Sequence, residues 1–443
     1  QNVLSVSLIA LALVMEVQMR HMVTRPMHSA TDNLYYIEYS AQNYDKSKIP
    51  PFKLEDPLTF VNGKKVRTAK DWETRRREIL DIFQKEMYGK MPEDPGTIVT
   101  ETLEEGPTLA DFGYRKQIRM WFREDKSGPK IDWLVVTPAR IEGPVPTVIL
   151  LNYNGNHTVL VDDEVFVYPG YTLWNTRMHT RGELSNPDSP TIIPVDDILA
   201  RGYVRVTACY EDISPDPDPT SPEVEHLAYT RVFELWGERD ERRTDNTTSL
   251  VAWAWGLRRG MDLIERLPEL DAGNVLLTGY SRLGKAAFIA SAFDRRFKVT
   301  VPNQTGGGGI PLAKHYYGEN IHTEMNSFPH WYCKAYGKYA DNEGALTFDQ
   351  HLFASCIAPR AFLVEGFDNP WYDTESEFMC LQAASPVWEF LGAEGLPKVA
   401  WPDDYDTKAI GPTLGYVRRD LEHGISAIDW LWMLDFAEKQ FGK

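Results

Sequence analysis

Five short segments of the chain are almost wholly apolar. They are Pro146-Thr-Val-Ile-Leu-Leu, Gly202-Tyr-Val-Arg-Val-Thr-Ala-Cys, Asn274-Val-Leu-Leu-Thr-Gly, Phe297-Lys-Val-Thr-Val-Pro and Arg360-Ala-Phe-Leu-Val-Glu-Gly. Between and after them lie stretches with helical periodicity: Asn246 to Leu267, about 282–294, about 374–392 and about 426–440. A strand buried on both faces reads as a continuous apolar run, whereas a half-buried strand alternates. Such runs interleaved with helices predict a three-layer α/β sandwich, with a mostly parallel central sheet covered by helices on both faces. Upstream the pattern differs. Asp71 to Met87 places Trp72, Ile79, Leu80, Ile82, Phe83 and Met87 near helical spacing, with charge between them. Residues 97–140 hold short alternating runs such as Gln117-Ile-Arg-Met-Trp-Phe, which predict antiparallel strands.

The remaining segments set the organisation. Val3 to Met15 is an apolar run of 13 residues, too short to span a bilayer and close in length to the apolar core of a signal peptide. Residues 1–53 are expected to form a leader or extended arm, with 1–16 a signal remnant or a packed helix. Residues 54–443 are expected to form one catalytic domain. Its connections at about 153–200 and 305–357 are long for an α/β fold, and insertions of that length usually build binding sites. No repeat at a period of 20–50 residues is evident.

Composition removes several function classes. With 47 Lys and Arg against 64 Asp and Glu, the net charge of −17 opposes binding to a phosphate backbone. No stretch approaches 18 apolar residues, so no membrane span is expected. Cys209, Cys333, Cys356 and Cys380 form no C-x-x-C pair, which disfavours zinc and iron–sulfur sites and fits small buried hydrophobes. Neither metal nor organic cofactor is expected.

Chemistry concentrates in Thr278-Gly-Tyr-Ser-Arg-Leu-Gly-Lys285, which follows an apolar strand and opens an amphipathic helix. That context suits a nucleophile elbow, with Ser281 raised above the sheet edge. The usual second glycine two residues after the serine is replaced by Leu283, and Gly284 follows. The plain alternative is a strand–turn–helix with a capping serine. In α/β-hydrolases the acid and then the histidine follow the nucleophile. His423 lies after the last predicted strand and before the final helix, where the base belongs. The acid is expected after Ala361–Glu365, which favours Asp368, with Asp373, Glu365 and Glu375 as rivals.

Gly279-Tyr-Ser-Arg-Leu-Gly-Lys285 resembles the G-x-S-R-x-G-K signature of the glucuronoyl esterases, carbohydrate esterase family fifteen. The resemblance runs from about Leu54 to the C-terminus. It takes in Asp71-Trp-Glu-Thr-Arg-Arg-Arg-Glu-Ile-Leu, Gly155-Asn-His, Arg201-Gly-Tyr, Cys209-Tyr-Glu-Asp, Gly306 to Gly309, Phe328-Pro-His-Trp, Ala358-Pro-Arg-Ala and the Trp371 segment. It implies an α/β-hydrolase fold and a secreted or periplasmic serine esterase that cleaves esters of 4-O-methyl-glucuronic acid, as between xylan and lignin alcohols. It also implies roles: Ser281 as nucleophile, His423 as base, Arg282 as oxyanion partner, and Lys285, Glu319 and Trp371 as sugar contacts. Some members place their acid 23 residues after the serine; that position here is Gln304, which leaves Asp368 as the expected acid. The competing functions are another carbohydrate esterase, such as an acetyl-xylan esterase, and a catalytically impaired carbohydrate-binding relative. The oligomeric state is not legible.

Overall fold

The computed structural model describes residues 42–167, 180–186, 189, 191–217, 222–403, 406–419 and 423–442. The apolar run at 3–15, most of the expected leader and part of the 153–200 insertion lie outside them.

Among the described residues, nine strands form one sheet: β1 (Val99–Thr108), β2 (Gly113–Trp121), β3 (Lys130–Pro138), β4 (Val145–Asn152), β5 (Val204–Cys209), β6 (Leu270–Tyr280), β7 (Val299–Asn303), β8 (Ala361–Phe367) and β9 (Leu414–Arg419). Their spatial order is β1-β2-β3-β5-β4-β6-β7-β8-β9. The first three ladders are antiparallel and the rest parallel. Five long helices among the described residues accompany them: α1 (Ala69–Glu86), α2 (Ser249–Ile264), α3 (Arg282–Phe293), α4 (Thr374–Phe390) and α5 (Ala427–Phe441).

The apolar runs behave as a doubly covered sheet requires. Ile149, Leu151, Val275, Leu277, Phe362 and Val364 join one core cluster with α1–α4. Their strand neighbours Val148, Leu150, Leu276 and Leu363 join a second cluster with Trp430, Met433, Leu434 and Phe436 of α5. Side chains alternate across a strand, so a run apolar at every position faces two cores.

Helix α1 starts two residues before the stretch from Asp71 that the pattern suggests, because Thr68 and Asp71 close a reciprocal capping box. Its charged positions are not all solvated. Arg76 is buried and donates to the carbonyls of Cys356 and Ala292. Strand β9 is an element the sequence pattern does not announce. Its Leu-Gly-Tyr-Val-Arg-Arg sequence carries two arginines, yet Arg419 is buried against Asp429 at 3.2 Å. All four cysteines are free and buried.

The 305–357 insertion folds over the carboxyl ends of β7 and β8 as short helices, including Ile321–Ser327 and Gln350–Ser355. Residues 42–53 of the expected arm rest on it. Asn43 Nδ2 donates to Tyr316 O at 3.0 Å, and Lys314 Nζ donates to Lys53 O at 3.1 Å.

Candidate active site

Strand β6 ends at Tyr280 and α3 begins at Arg282, so Ser281 is the entire connection. It is held at φ 56° and ψ −132°, outside the regions a serine normally occupies. Such strain persists only where its surroundings over-determine it. Here Ser281 N–H donates to Asn303 O at 2.9 Å, and Ser281 O accepts from Lys285 N–H at 3.1 Å. A Cβ on Gly279 would fall 2.4 Å from Leu283 O. A Cβ on Gly284 would fall 2.8 Å from Asn303 O and 3.0 Å from Gly279 O. The second glycine is therefore needed three residues after the serine, where α3 crosses the end of β7. The variant elbow pattern follows from this close approach.

His423 is brought to the same edge. Its ring packs on Tyr280, the residue before the serine, at 5.2 Å, and on Phe367 and Tyr372 at 5.4 and 4.8 Å. Burial, then the positive charges of Arg282, Arg419 and Lys285, hold its pKa down at about 3. The ring is therefore neutral across the ordinary pH range.

The expected acid is a correction. Asp368 follows β8 as predicted, but its carboxylate turns outward to Arg418 Nη2 at 2.8 Å and is 49% exposed. The His423 Nδ1 instead meets Gln304 Oε1 at 2.9 Å. The displacement has a local cause. Asp368 N–H is tied to Arg419 O at 2.9 Å, which sets the residue beside β9 and its arginine. The rivals are engaged elsewhere. Asp373 pairs with His315 Nδ1 at 2.7 Å, and Glu375 pairs with Lys46 at 2.5 Å. Glu365 is fully buried, and burial with Asp429 nearby pushes its pKa well up.

Arg282 projects from the first turn of α3 with 17% of its side chain exposed. It is paired with Asp216, which is fully buried. That carboxylate also accepts from His330 Nε2 at 2.7 Å, Trp331 Nε1 at 2.9 Å and Tyr210 OH at 3.2 Å. Burial alone would raise the pKa of Asp216; Arg282 and these donors outweigh it and lower it to about 2. The guanidinium also lies 5.0 Å from the Trp331 ring centre.

One turn along α3, Lys285 is buried with Nζ 3.2 Å from Tyr332 OH and 3.9 Å from Glu319 Oε2. Glu319 Oε2 also accepts from Gly307 N–H at 2.8 Å. Glu319 N–H donates to Trp371 O at 2.8 Å, so the insertion and the loop after β8 are joined at this point. Burial raises the pKa of Glu319, opposed by Lys285. Ser281, Arg282, Lys285, Glu319, Trp371 and His423 thus converge on one edge of the sheet, and Asp368 does not join them.

Sequence reasoning missed the Asp216 cluster and the contact of Gln304 with His423. His330 and Trp331 sit in Phe328-Pro-His-Trp and Tyr210 in Cys209-Tyr-Glu-Asp, motifs that were visible without a role. Asp216 lies in a Pro-Asp-Pro-Asp-Pro stretch that looks like plain loop. No group of three or more His, Cys, Asp or Glu among the described residues could hold a metal ion.

The arrangement offers a strained serine, a neutral imidazole, a guanidinium at the helix start and a lysine–glutamate pair beside them. A hydrogen-bonding polyol ester fits that set. The family model "Glucuronyl esterase, fungi" matches residues 225–392. Carbohydrate esterase MZ0003, from an unknown prokaryotic organism, is 32% identical over 91% of this chain and 93% of its own length. The structure of a glucuronoyl esterase from Solibacter usitatus superposes with a TM-score of 0.81 at 33% identity, covering 90% of this chain and 100% of that one. A 4-O-methyl-glucuronoyl methylesterase of Podospora anserina is 26% identical over 77% of this chain and 61% of its own length.

Proposed function

The chain belongs to the glucuronoyl esterase family, carbohydrate esterase family fifteen, whose members are carboxylic ester hydrolases, and from that premise we propose that Ser281 and His423 hydrolyse esters of 4-O-methyl-glucuronic acid. Support for the substrate class comes from the relatives' activity and from the Lys285–Glu319 pair, whose donor and acceptor suit neighbouring sugar hydroxyls. The observation that carries the reading is the strained Ser281 between Tyr280, whose ring packs against His423, and Arg282, the next residue in the chain.

In the proposed reaction His423 Nε2 accepts the Ser281 hydroxyl proton while Oγ bonds to the uronoyl carbon. The carbonyl oxygen gathers negative charge facing Arg282. A fixed guanidinium there is worth more in the tetrahedral state than in the ground state. The bond to the alcohol breaks as His423 returns the proton to the leaving oxygen, and water repeats the sequence on the acyl-enzyme. Lys285, Glu319 and Trp371 hold the sugar.

No helix among the described residues is long and apolar enough to cross a membrane. We place the enzyme outside the cytoplasm, in the periplasm or secreted, because a xylan-borne ester is polymeric and lies outside the cell. Its partner is then a glucuronoxylan or lignin–carbohydrate ester. Residues 54–443 act as one catalytic unit in this reading.

Hydrolysis of a methyl ester of 4-O-methyl-glucuronate, compared with an acetylated xylose, tests the proposal. Wild type should cleave the first in preference, and Ser281→Ala should lose about 10⁴–10⁶ in kcat. A Ser281→Ala enzyme retaining more than about a tenth of wild-type activity would remove the serine from the mechanism.

A further inference from the structure

Gln304 occupies the place beside the base where a carboxylate is expected, and its setting is specific to an amide. The Gly424 N–H donates to its Oε1 at 3.1 Å, while its Nε2 donates to Gly424 O. A flipped amide would set N–H against N–H and C=O against C=O. Oε1 is therefore an acceptor, and the His423 Nδ1 lying 2.9 Å away must carry its proton. That leaves the Nε2 lone pair free for the serine proton. A carboxylate at 304 would press an oxygen on Gly424 O, which already accepts from Arg419 Nη2 as well.

The backbone is as closely determined as the side chain. Gln304 has φ 47°, a left-handed conformation unusual for a residue with a Cβ. Its N–H donates to Glu365 O at 2.8 Å, and the residue is fully buried. A strained, buried, fully bonded glutamine argues against a relic of a lost acid.

We propose that Gln304 is the positioning residue of the catalytic base: its amide oxygen fixes the tautomer and aim of His423, so that the esterase works with a serine–histidine–glutamine set. The proposal rests on the assignment of Ser281 and His423 as the reacting pair. In both proton transfers the Nδ1 proton stays on Nδ1, donated to Gln304, while the mobile proton passes between Ser281, Nε2 and the leaving alcohol. A carboxylate would add attraction for the imidazolium; the amide contributes direction and a dipole only. The groups facing His423 fit this neutral arrangement. They are the rings of Tyr280, Phe367 and Tyr372 and the cations Arg282, Lys285 and Arg419.

Two variants of the full chain and one spectroscopic measurement test it. Gln304→Met keeps length and buried volume but removes the acceptor. It should lower kcat by roughly 10–10³, less than the loss on neutralising a triad carboxylate, with KM within about threefold. Gln304→Glu restores the acceptor toward His423 while losing the bond to Gly424 O; it should regain at least about tenfold over Gln304→Met and stay below wild type. Nitrogen NMR of histidine-labelled wild type should find His423 protonated at Nδ1, and Gln304→Met should lose that preference. An Nε2-protonated His423 in wild type would overturn the proposal, as would a folded Gln304→Met with kcat within about threefold of wild type. If Gln304→Met does not fold, the wild-type tautomer and the activity of Gln304→Glu, expected within about 10²-fold of wild type, decide. Full activity in Ser281→Ala would instead defeat the serine–histidine assignment itself.

Discussion

Two polar clusters flank Ser281, and they are built on opposite principles. On one side Arg282 is anchored by Asp216, a buried carboxylate that collects four donors. On the other, His423 is anchored by Gln304, a buried neutral amide. The difference tracks the life of each charge. Arg282 is charged throughout the reaction, so an opposite charge can hold it permanently. In the proposed mechanism His423 gains and loses a proton in every turnover, and a dipole can orient it in both states. The Lys285–Glu319 contact repeats the first principle one turn further from the serine.

Removing the charge from the first cluster should have the largest effect. Asp216→Asn leaves Arg282 without its counter-charge, and breaking a buried pair in this way costs about 3–5 kcal/mol. We expect a lower melting temperature and a fall in kcat of about 10²–10³, the loss usual for a misplaced oxyanion partner. The pH dependence has a definite sign. Asp216 has a pKa lowered to about 2 in the folded chain. Its stabilising contribution is therefore complete above its unfolded value of about 4 and is lost as pH falls through about 2. Melting curves from pH 2 to 7 should show this acid-side loss in wild type and less of it in Asp216→Asn. An Asn variant with wild-type melting and turnover would erase the distinction between the clusters.

Lys285→Met should act next most strongly, and on a different constant. Its Nζ lies beside Tyr332 and Glu319. Steady-state kinetics should give a KM raised about tenfold or more with kcat within about threefold, as for a contact made equally in ground and transition states. A kcat effect larger than the KM effect would move Lys285 into the oxyanion cluster.

Asp368→Asn should do least. Its partner Arg418 is a half-buried surface neighbour, and such pairs contribute about 0–1 kcal/mol. Hydrolysis should stay within about threefold of wild type. A loss of 10² or more would return a carboxylate to the base and collapse the contrast between the two clusters.

What could be read from the chain follows the range of the interactions. The parallel sheet was legible because burial on both faces leaves a local mark, the unbroken apolar run. The elbow was legible because Gly279, Ser281 and Gly284 are close in sequence. Strand β9 escaped because Arg419 breaks its apolar run, and only Asp429 explains a buried arginine there. The position of Asp368 after β8 is legible, but its direction is set by Arg418 and Arg419 on the neighbouring strand. The sequence shows Gln304 as an amide where some relatives carry an acid; the partner that makes it suitable, Gly424, is 120 residues away. Asp216 had no local sign at all, since its donors come from three separate segments.

The pairing of Arg282 with Asp216 bears on how a turnover ends. Ester cleavage turns a neutral acyl group into an anion, which the proposed reaction releases beside a guanidinium and an ammonium. Unbalanced, those two cations would retain the uronate and the enzyme would stall on its own product. Asp216 and Glu319 already satisfy them, and the chain carries a net charge of −17. On the proposed assignment the pocket accepts an uncharged ester and releases the acid it makes, so that hydrolysis runs forward as free uronate accumulates.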